Sequence, residues 1–555
     1  MLKEVDDQLD SHPPDLVIAP VGVGSFAQAV VAHYKSPGKT TKVVTVEPDT
    51  AACLWKSLAK GSPDAIQTSH TIMAGMDAGT VSSIAWPFLR DGVDASVTVS
   101  DHESHLAVQE LVESSAAVLA GPCGAATLAA LRRLTSTPHD RQRLNLTPDA
   151  TVVLLCTEGR RPYPPPRDVS LEDATSLTQA LVRINSAVPG TGTVQGPGET
   201  EIAQFIAAWL EHRDMETHWI EPTPGRPSVV GIVRGTGGGK SLMFNGHIDT
   251  VTTASYSGDP LSGVIQNGKL YGRGSADMKS GLAASLVALA EAKKTPLAGD
   301  VLLAAVADEE DLSIGTEQVL EAGWRADAAV VCEPTDETLA NAHRGFAWLE
   351  VDIHGVAAHG SRFDLGVDAI TRAGSFLVEL ARYSDSLLSG TRDDPLLGPP
   401  SVHASMVRGG EEPASYPAKC TVVLERRTVV GETPESVRGE VLELLRRAAE
   451  NVAGPELNYH VRVTFFRPPF AVPETEPIVQ LVKRAHESVS GEAAVVKPVS
   501  YWTDCALLAD KGIPAVLYGP KGHGLHSKEE WVDVKSVETV ASTLVHVMKE
   551  FCGSP

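Results

Sequence analysis

No Cys-x-x-Cys pair occurs in this sequence. The seven cysteines (Cys53, Cys123, Cys156, Cys332, Cys420, Cys505 and Cys552) are scattered and odd in number. That excludes a disulfide framework and a thiolate zinc site, and it points to a reducing compartment. Basic residues are outnumbered: 47 Lys and Arg against 70 Asp and Glu give a formal charge of −23. Such a chain repels phosphate backbones and anionic lipid, so neither nucleic acid nor a membrane is expected as a partner. No apolar run approaches the roughly 20 residues that span a bilayer. The opening MLKEVDDQLDSHPPD carries charges where a signal peptide has an apolar core. A cytoplasmic protein is expected. Repeats of 20 to 50 residues are absent as well, which excludes a solenoid or propeller. What is present is ordinary globular composition: 555 residues, 43% hydrophobic and 21% charged, enough for three or four compact units.

One composition shift divides the chain. The stretch TEGRRPYPPPRDVSLED, Thr157 to Asp173, holds four prolines and many charges, and residues 159–173 read as a linker. Before it, DLVIAP, KVVTVEP and TVVLLC read as buried strands alternating with helices, so residues 1–158 are expected to form an α/β segment. After it the alternation resumes. SLMFNG, DVLLAAVA, AAVVC and PAVLYG are continuous apolar runs, as in parallel strands covered on both faces, and they assign 174–342 and 469–555 to a second α/β domain. Between them AWLEVDIHG and TVVLERRTVV alternate polar and apolar, so residues 343–468 read as an inserted α+β domain with one wet sheet face.

Chemistry-bearing residues gather where these strands end. His247 and Asp249 follow SLMFNG two residues apart, on one face of an extended chain. Asp308, Glu309 and Glu310 follow DVLLAAVA, Glu333 follows AAVVC, and His526 lies in a Gly-rich loop after PAVLYG. In open parallel sheets the crevice at the carboxyl ends binds ligands. Asp277 opens an amphipathic helix and can project into that crevice. Two imidazoles with several carboxylates suit zinc, cobalt or manganese, and a carboxylate between two ions offsets their repulsion. The pattern predicts a two-metal hydrolytic centre.

The ordered motifs FNGHIDTV, LYGRGSADMKSGLAA, ADEED, CEPT, HGVAAHGS and GPKGHGLHSKEEWV resemble those of the M20 metallopeptidases, the acetylornithine deacetylase and succinyl-diaminopimelate desuccinylase group. The resemblance implies two divalent ions. His247, Asp277 and Glu333 would hold one, and Asp277, Glu310 and His526 the other, with Asp277 bridging. Asp249 would orient His247, and Glu309 would be the general acid/base for a metal-activated water. His526 is preferred over His523 because the family has a Glu four residues on, here Glu530. The insert resembles the family's lid or dimerisation domain and implies a homodimer. Its His359 looks like the histidine that donates to the tetrahedral oxyanion, commonly from the other subunit. Arg427 is a candidate for gripping a substrate carboxylate, but the family has Asp-x-Arg there and this chain has Glu425, so that role stays open. Glu at position 333 is more typical of the family's deacylases. The expected substrate is therefore an N-acyl amino acid, with a dipeptidase or carboxypeptidase as the alternative.

Residues 1–158 carry a different resemblance. APVGVGSFAQAVVAHYK, VEPDTAACLWKSL, MAGMDAGTVSSIAWP and AGPCGAATLAAL look like the carboxyl-terminal half of fold-type II pyridoxal-phosphate enzymes, particularly diaminopropionate ammonia-lyase. That implies a phosphate cradle at Gly22, Gly24 and Ser25, with Cys123 facing the pyridine nitrogen. The Schiff-base lysine of that family lies well over 100 residues upstream of the glycine loop. Here only about 20 residues precede the loop, and Lys3 is no substitute, so bound pyridoxal phosphate is not expected. A truncated, non-catalytic lyase remnant follows. A lyase, or a binding protein without catalysis, are the readings the hydrolase motifs compete with.

Overall fold

The computed structural model describes residues 1–10, 12–190, 195–389 and 393–553. The chain forms two compact units. The first comprises Met1–Ala180, Thr200–Trp219 and Val229–Ile232, so it includes segments beyond residue 158. The second comprises Leu181–Glu199, Ile220–Ser228 and Val233–Pro555. The α/β architecture expected from the alternation of apolar runs and helical stretches is observed in both.

In the first unit four strands run parallel in the order Ala95–Val99, Lys42–Pro48, Leu16–Pro20, Val152–Leu154. Leu16–Pro20 is buried at every position because successive side chains enter two different cores. Leu16 and Ile18 pack with Ala125, Ala126 and Ala129 of the helix Pro122–Ser136. Val17 and Ala19 pack with Val30 and Tyr34 of the helix Ser25–Tyr34. A strand covered on both faces has no position left for a polar residue, which is why it reads as an unbroken apolar run.

The main sheet of the second unit has Leu242–His247 between Val301–Val306 and Ala328–Val331, all parallel, with Ala515–Tyr518 parallel to the last. Its carboxyl ends therefore deliver His247, the Asp308–Glu310 turn and Glu333 to one edge. The helices Ser280–Lys294 and Val534–Cys552 pack together beside it. Gly281 permits the first of these to approach the strand end, since a Cβ there would lie 1.8 Å from the carbonyl oxygen of Cys332. A small antiparallel sheet, ordered Gly522–His523, Trp531–Asp533, Lys269–Tyr271, Val264–Gln266, joins the loop carrying His526 to the segment leading into Asp277.

The insert is an antiparallel sheet in the order Ser401–Gly409, Lys419–Thr428, Gly345–His354, Asn458–Arg467. The helices Ala369–Leu388 and Pro434–Glu450 bury Phe376, Leu380, Leu444 and Leu445 against one face of it. Lys419–Thr428 alternates buried and less buried positions along its length, as a strand with one wet face must. Both helices are capped from the sequence: the Asp368 carboxylate accepts from the N–H groups of Ile370 and Thr371, and Thr433 forms a capping box with Ser436.

Candidate metal centre

His247 ends its strand with the imidazole only 1% exposed. Its Nδ1–H donates to the main-chain carbonyl of Asp249 at 3.0 Å, which leaves Nε2 facing Asp277 Oδ1 at 3.2 Å and Glu333 Oε1 at 3.7 Å. The Asp249 carboxylate lies further from Nδ1, at 3.5 Å. It is engaged elsewhere, accepting from the backbone N–H groups of Glu309 at 3.2 Å and Glu310 at 3.0 Å. Asp249 thus orients His247 through its carbonyl and the Glu309–Glu310 turn through its side chain.

Asp277 stands at the middle of the cluster. Oδ1 faces His247, while Oδ2 lies 3.3 Å from Nε2 of His526, whose other close neighbour is Glu310 Oε2 at 2.9 Å. His526 adopts φ 58°, which turns its ring back from a surface loop toward the buried carboxylates. The carboxylate of Glu530, fully buried, fixes the main chain around Asp277. It accepts from Arg273 Nη1 at 2.8 Å and from the N–H groups of Gly274, Ala276 and Asp277 at 3.0, 2.9 and 3.0 Å. A charged acceptor shared by four donors is a rigid anchor.

Ligand atoms of His247, Glu309 and Glu333 lie within 4.8 Å of one another, as do those of His247, Asp277 and Glu310. The geometry therefore brings together all six residues expected at the centre. Burial disfavours the charged form of His247, but Glu333, Asp249 and Asp277 outweigh it and raise its pKa well above the usual value. Hydrogen bonds to Asp277 and Glu310 push His526 up to about 10. Burial would raise Asp277, yet the two imidazoles hold it below the ordinary carboxylate range. Glu309 and Glu333 are raised well above theirs, first by burial and then by the surrounding carboxylates, against the pull of His247. A buried excess of carboxylate over imidazole is a site short of positive charge, and mixed N and O donors of this kind fit divalent cations of the zinc, cobalt or manganese type.

Asp504, Thr316, Arg226 and Glu199 support the site without any local sequence signal. Buried Asp504 accepts from Thr316 Oγ1 at 2.7 Å, and Thr316 in turn accepts from Asn245 Nδ2 at 2.9 Å. Burial pushes Asp504 up to about 6, and its charge adds to the field that raises Glu309 and Glu333. Asp308, at φ 68°, is ion-paired to Arg226, which also grips Glu199 at 2.6 Å. Asp308 therefore braces the turn that presents Glu309 and Glu310.

The other expected residues lie apart from the cluster. His359 is exposed in the insert, with Nδ1 2.8 Å from Ser361 Oγ. Arg427 pairs with Glu425 at 2.6 Å and lies over the Phe346 ring, 5.2 Å from its centroid. His523 is exposed and stacks on Trp531. Gly24 caps the helix Ser25–Tyr34 at φ 95°, and a Cβ there would meet Leu89 Cδ1 at 2.7 Å, so backbone conformation and packing both account for that glycine. A Cβ on Gly22 would lie 3.0 Å from the Gly75 carbonyl oxygen. Cys123 is buried, which pushes its thiol up to about 11. The six lysines of residues 1–158 are all partly or fully exposed. Lys35, Lys39, Lys42 and Lys60 are ion-paired to Asp94, Asp6, Asp94 and Asp64. None is a buried amine beside the glycine loop, so these residues do not fit a pyridoxal-phosphate Schiff base.

Two family models match separate parts of this chain. Residues 243–550 match the model of peptidase family M20/M25/M40, and residues 1–158 that of the pyridoxal-phosphate dependent enzymes. Acetylornithine deacetylase of Myxococcus xanthus is 30% identical over 332 residues, covering 59% of this chain and 84% of the relative. N-formyl-4-amino-5-aminomethyl-2-methylpyrimidine deformylase of Bacillus subtilis (strain 168) is 25% identical over 413 residues, covering 69% of this chain and 95% of the relative. Among solved structures, aminopeptidase PepT from Bacillus cereus ATCC 10987 shares the fold with a TM-score of 0.55 at 20% identity, covering 68% of this chain and 98% of that one.

Proposed function

This chain belongs to peptidase family M20/M25/M40, a family of metal-dependent hydrolases of amide bonds, and on that premise we propose that it is a two-metal amidohydrolase that removes the acyl group from an N-acyl amino acid. The observation that carries the reading is Asp277, whose two carboxylate oxygens face two different imidazoles, His247 and His526. That arrangement supports a bridging carboxylate, with His247 and Glu333 on one side and Glu310 and His526 on the other. His247, Asp277, Glu333, Glu310 and His526 would hold two divalent ions there, which would supply Lewis acidity toward the amide carbonyl and water.

The chain's own residues supply the rest. Glu309, within ligand-atom reach of His247 and Glu333, takes the proton of the attacking water and returns it to the leaving nitrogen. Asp249 holds the Glu309–Glu310 turn in register through two N–H bonds. His359, on the insert, is assigned to the developing oxyanion and acts from a second copy of the chain. The insert's edge strand Ser401–Gly409 and its exposed Met406, Val407 and Val378 support a homodimer through this domain, since an exposed apolar edge is a pairing surface. The deacetylase and deformylase names of the curated relatives support an acyl amine over a peptide.

The test joins elemental analysis of the purified chain to hydrolysis of N-acetyl amino acids before and after chelation. About two zinc, cobalt or manganese per chain, with hydrolysis lost on chelation and in Glu309→Gln while metal content persists, is the expected result. A metal-free chain under replete conditions would refute the site assignment. Cleavage of dipeptides but not of acyl amino acids would overturn the substrate class alone.

A further inference from the structure

A cavity inside the first unit has a volume of about 820 Å³, within the range that small-molecule sites occupy. Its lining includes the apolar side chains of Ile72, Val169, Phe205 and Ala208. It also includes an acidic corner, with Asp49 and Glu211 brought together by a short network. Ser69 Oγ donates to both carboxylate oxygens of Glu211 at 2.7 and 2.9 Å, and Ser69 N donates to the Thr50 carbonyl at 3.0 Å. His212 Nδ1 holds one oxygen of Asp49 at 2.8 Å, and the other takes no protein donor among the described residues.

Two further features point to a missing partner. Thr50 lines the cavity and is only 5% exposed, yet its Oγ1 has no hydrogen-bond partner. Nδ1 of His102, on the same lining, is also buried without one. Buried hydroxyls and imidazole nitrogens left unpaired are costly and rare in native interiors. Asp101 and Glu201 add negative charge to the lining, whose one guanidinium, Arg167, is ion-paired to Glu201 at 2.6 Å. Burial and the nearby Asp49 push Glu211 up to about 7, against its Ser69 hydrogen bond and the charge of Lys56.

We propose that this cavity binds a small organic cation, a primary ammonium carried on an apolar or aromatic body, with the nitrogen at Asp49, Thr50 and Glu211 and the body against Ile72 and Phe205. A primary ammonium has three N–H donors, and this corner offers three acceptors: the open Asp49 oxygen, the Thr50 hydroxyl and the Glu211 carboxylate. The pairing adds positive charge beside two buried carboxylates and satisfies the orphaned hydroxyl, while the apolar lining gives the body a place out of water. The site is independent of the metal centre and of any reaction there.

Isothermal titration of the full chain, in enough salt to suppress diffuse binding to an acidic surface, tests this with 2-phenylethylamine, the near-isosteric 2-phenylethanol and the anion 3-phenylpropionate. The amine is expected to bind saturably, one per chain, at least tenfold tighter than the alcohol, and the carboxylate not at all. Thr50→Val, which keeps the side-chain shape, is expected to weaken the amine about fivefold, and Glu211→Gln tenfold or more. Equal affinity for amine and alcohol would reduce the cavity to an apolar void, and absence of amine binding by the folded chain would overturn the proposal outright. Amine binding that Thr50→Val leaves unchanged would place the ligand elsewhere. That comparison remains decisive if Glu211→Gln fails to fold.

Discussion

Replacing Glu530 by Gln tests whether the metal centre is held by the anchor described above. The wild-type carboxylate uses Oε2 for Arg273 and Gly274 and Oε1 for Ala276 and Asp277. A glutamine keeps one oxygen and presents an NH2 group where two N–H donors already point, so in either orientation two buried donors lose their acceptor. Each such loss costs about 1–3 kcal/mol. If Arg273, only 2% exposed, is the group left without its charge partner, the cost approaches the ~3–5 kcal/mol of breaking a buried pair. The expected destabilisation is therefore about 3–5 kcal/mol by chemical denaturation. Whichever pair is released, the Gly274–Asp277 segment that sets Asp277 loses part of its anchor, so metal affinity should fall by roughly tenfold to a hundredfold. The assays are urea unfolding and competitive metal titration of the same preparation. A loss under about 1 kcal/mol with unchanged metal affinity would refute the idea that this carboxylate positions the bridging residue.

Three further outcomes are expected. Asp249→Asn presents a donor to the N–H groups of Glu309 or Glu310, and turnover of N-acetyl amino acids should drop about a hundredfold with the fold retained; wild-type turnover would remove Asp249 from the positioning scheme. Gly281→Ala drives a methyl into the Cys332 carbonyl, and the overpacking should cost about 1–3 kcal/mol while displacing neighbouring Glu333. Normal unfolding and normal metal content together would count against that close approach. Glu47 is fully buried and raised from about 4.5 to about 7, by desolvation working against its two N–H donors Leu54 and Trp55. A carboxyl whose folded pKa is raised contributes stability that is complete below the unfolded value and is lost as pH rises through the folded one. Between about pH 4.5 and 7 the chain should therefore lose roughly 3 kcal/mol from this group. Glu47→Gln should flatten that slope in unfolding measurements across the same window, and identical slopes for variant and wild type would exclude it.

Much of the catalytic half was legible because its strands are buried on both faces. A run such as Leu242–Phe244 is apolar on both faces, so the ionisable residues that follow it, His247 and Asp249, mark the strand's carboxyl end. The same holds for Glu309 and Glu310 after Val301–Val306 and for Glu333 after Ala328–Val331. The alternating texture of the insert was equally readable, since one wet sheet face imposes a period of two. The glycine loop at Gly22–Ser25 was legible as a turn but not as a packing contact: its glycines answer to Leu89 and Gly75, which lie far along the chain.

What the sequence alone determined, then, is periodicity and its interruptions, and with them the order of elements and the identity of the residues at strand ends. Only the tertiary structure decided which charges are buried together. The spacing from His526 marks Glu530 but not what it does: unlike the exposed Glu529 beside it, it closes around Asp277 and Arg273 more than 250 residues away. The tertiary structure alone likewise placed Asp504 beneath Thr316, paired Arg226 with Asp308, and gathered the helix Thr200–Glu211 with residues 1–180 to enclose an acidic cavity. Hydrophobic periodicity is written in neighbouring residues, whereas desolvation and ion pairing depend on what the rest of the chain brings to the same place.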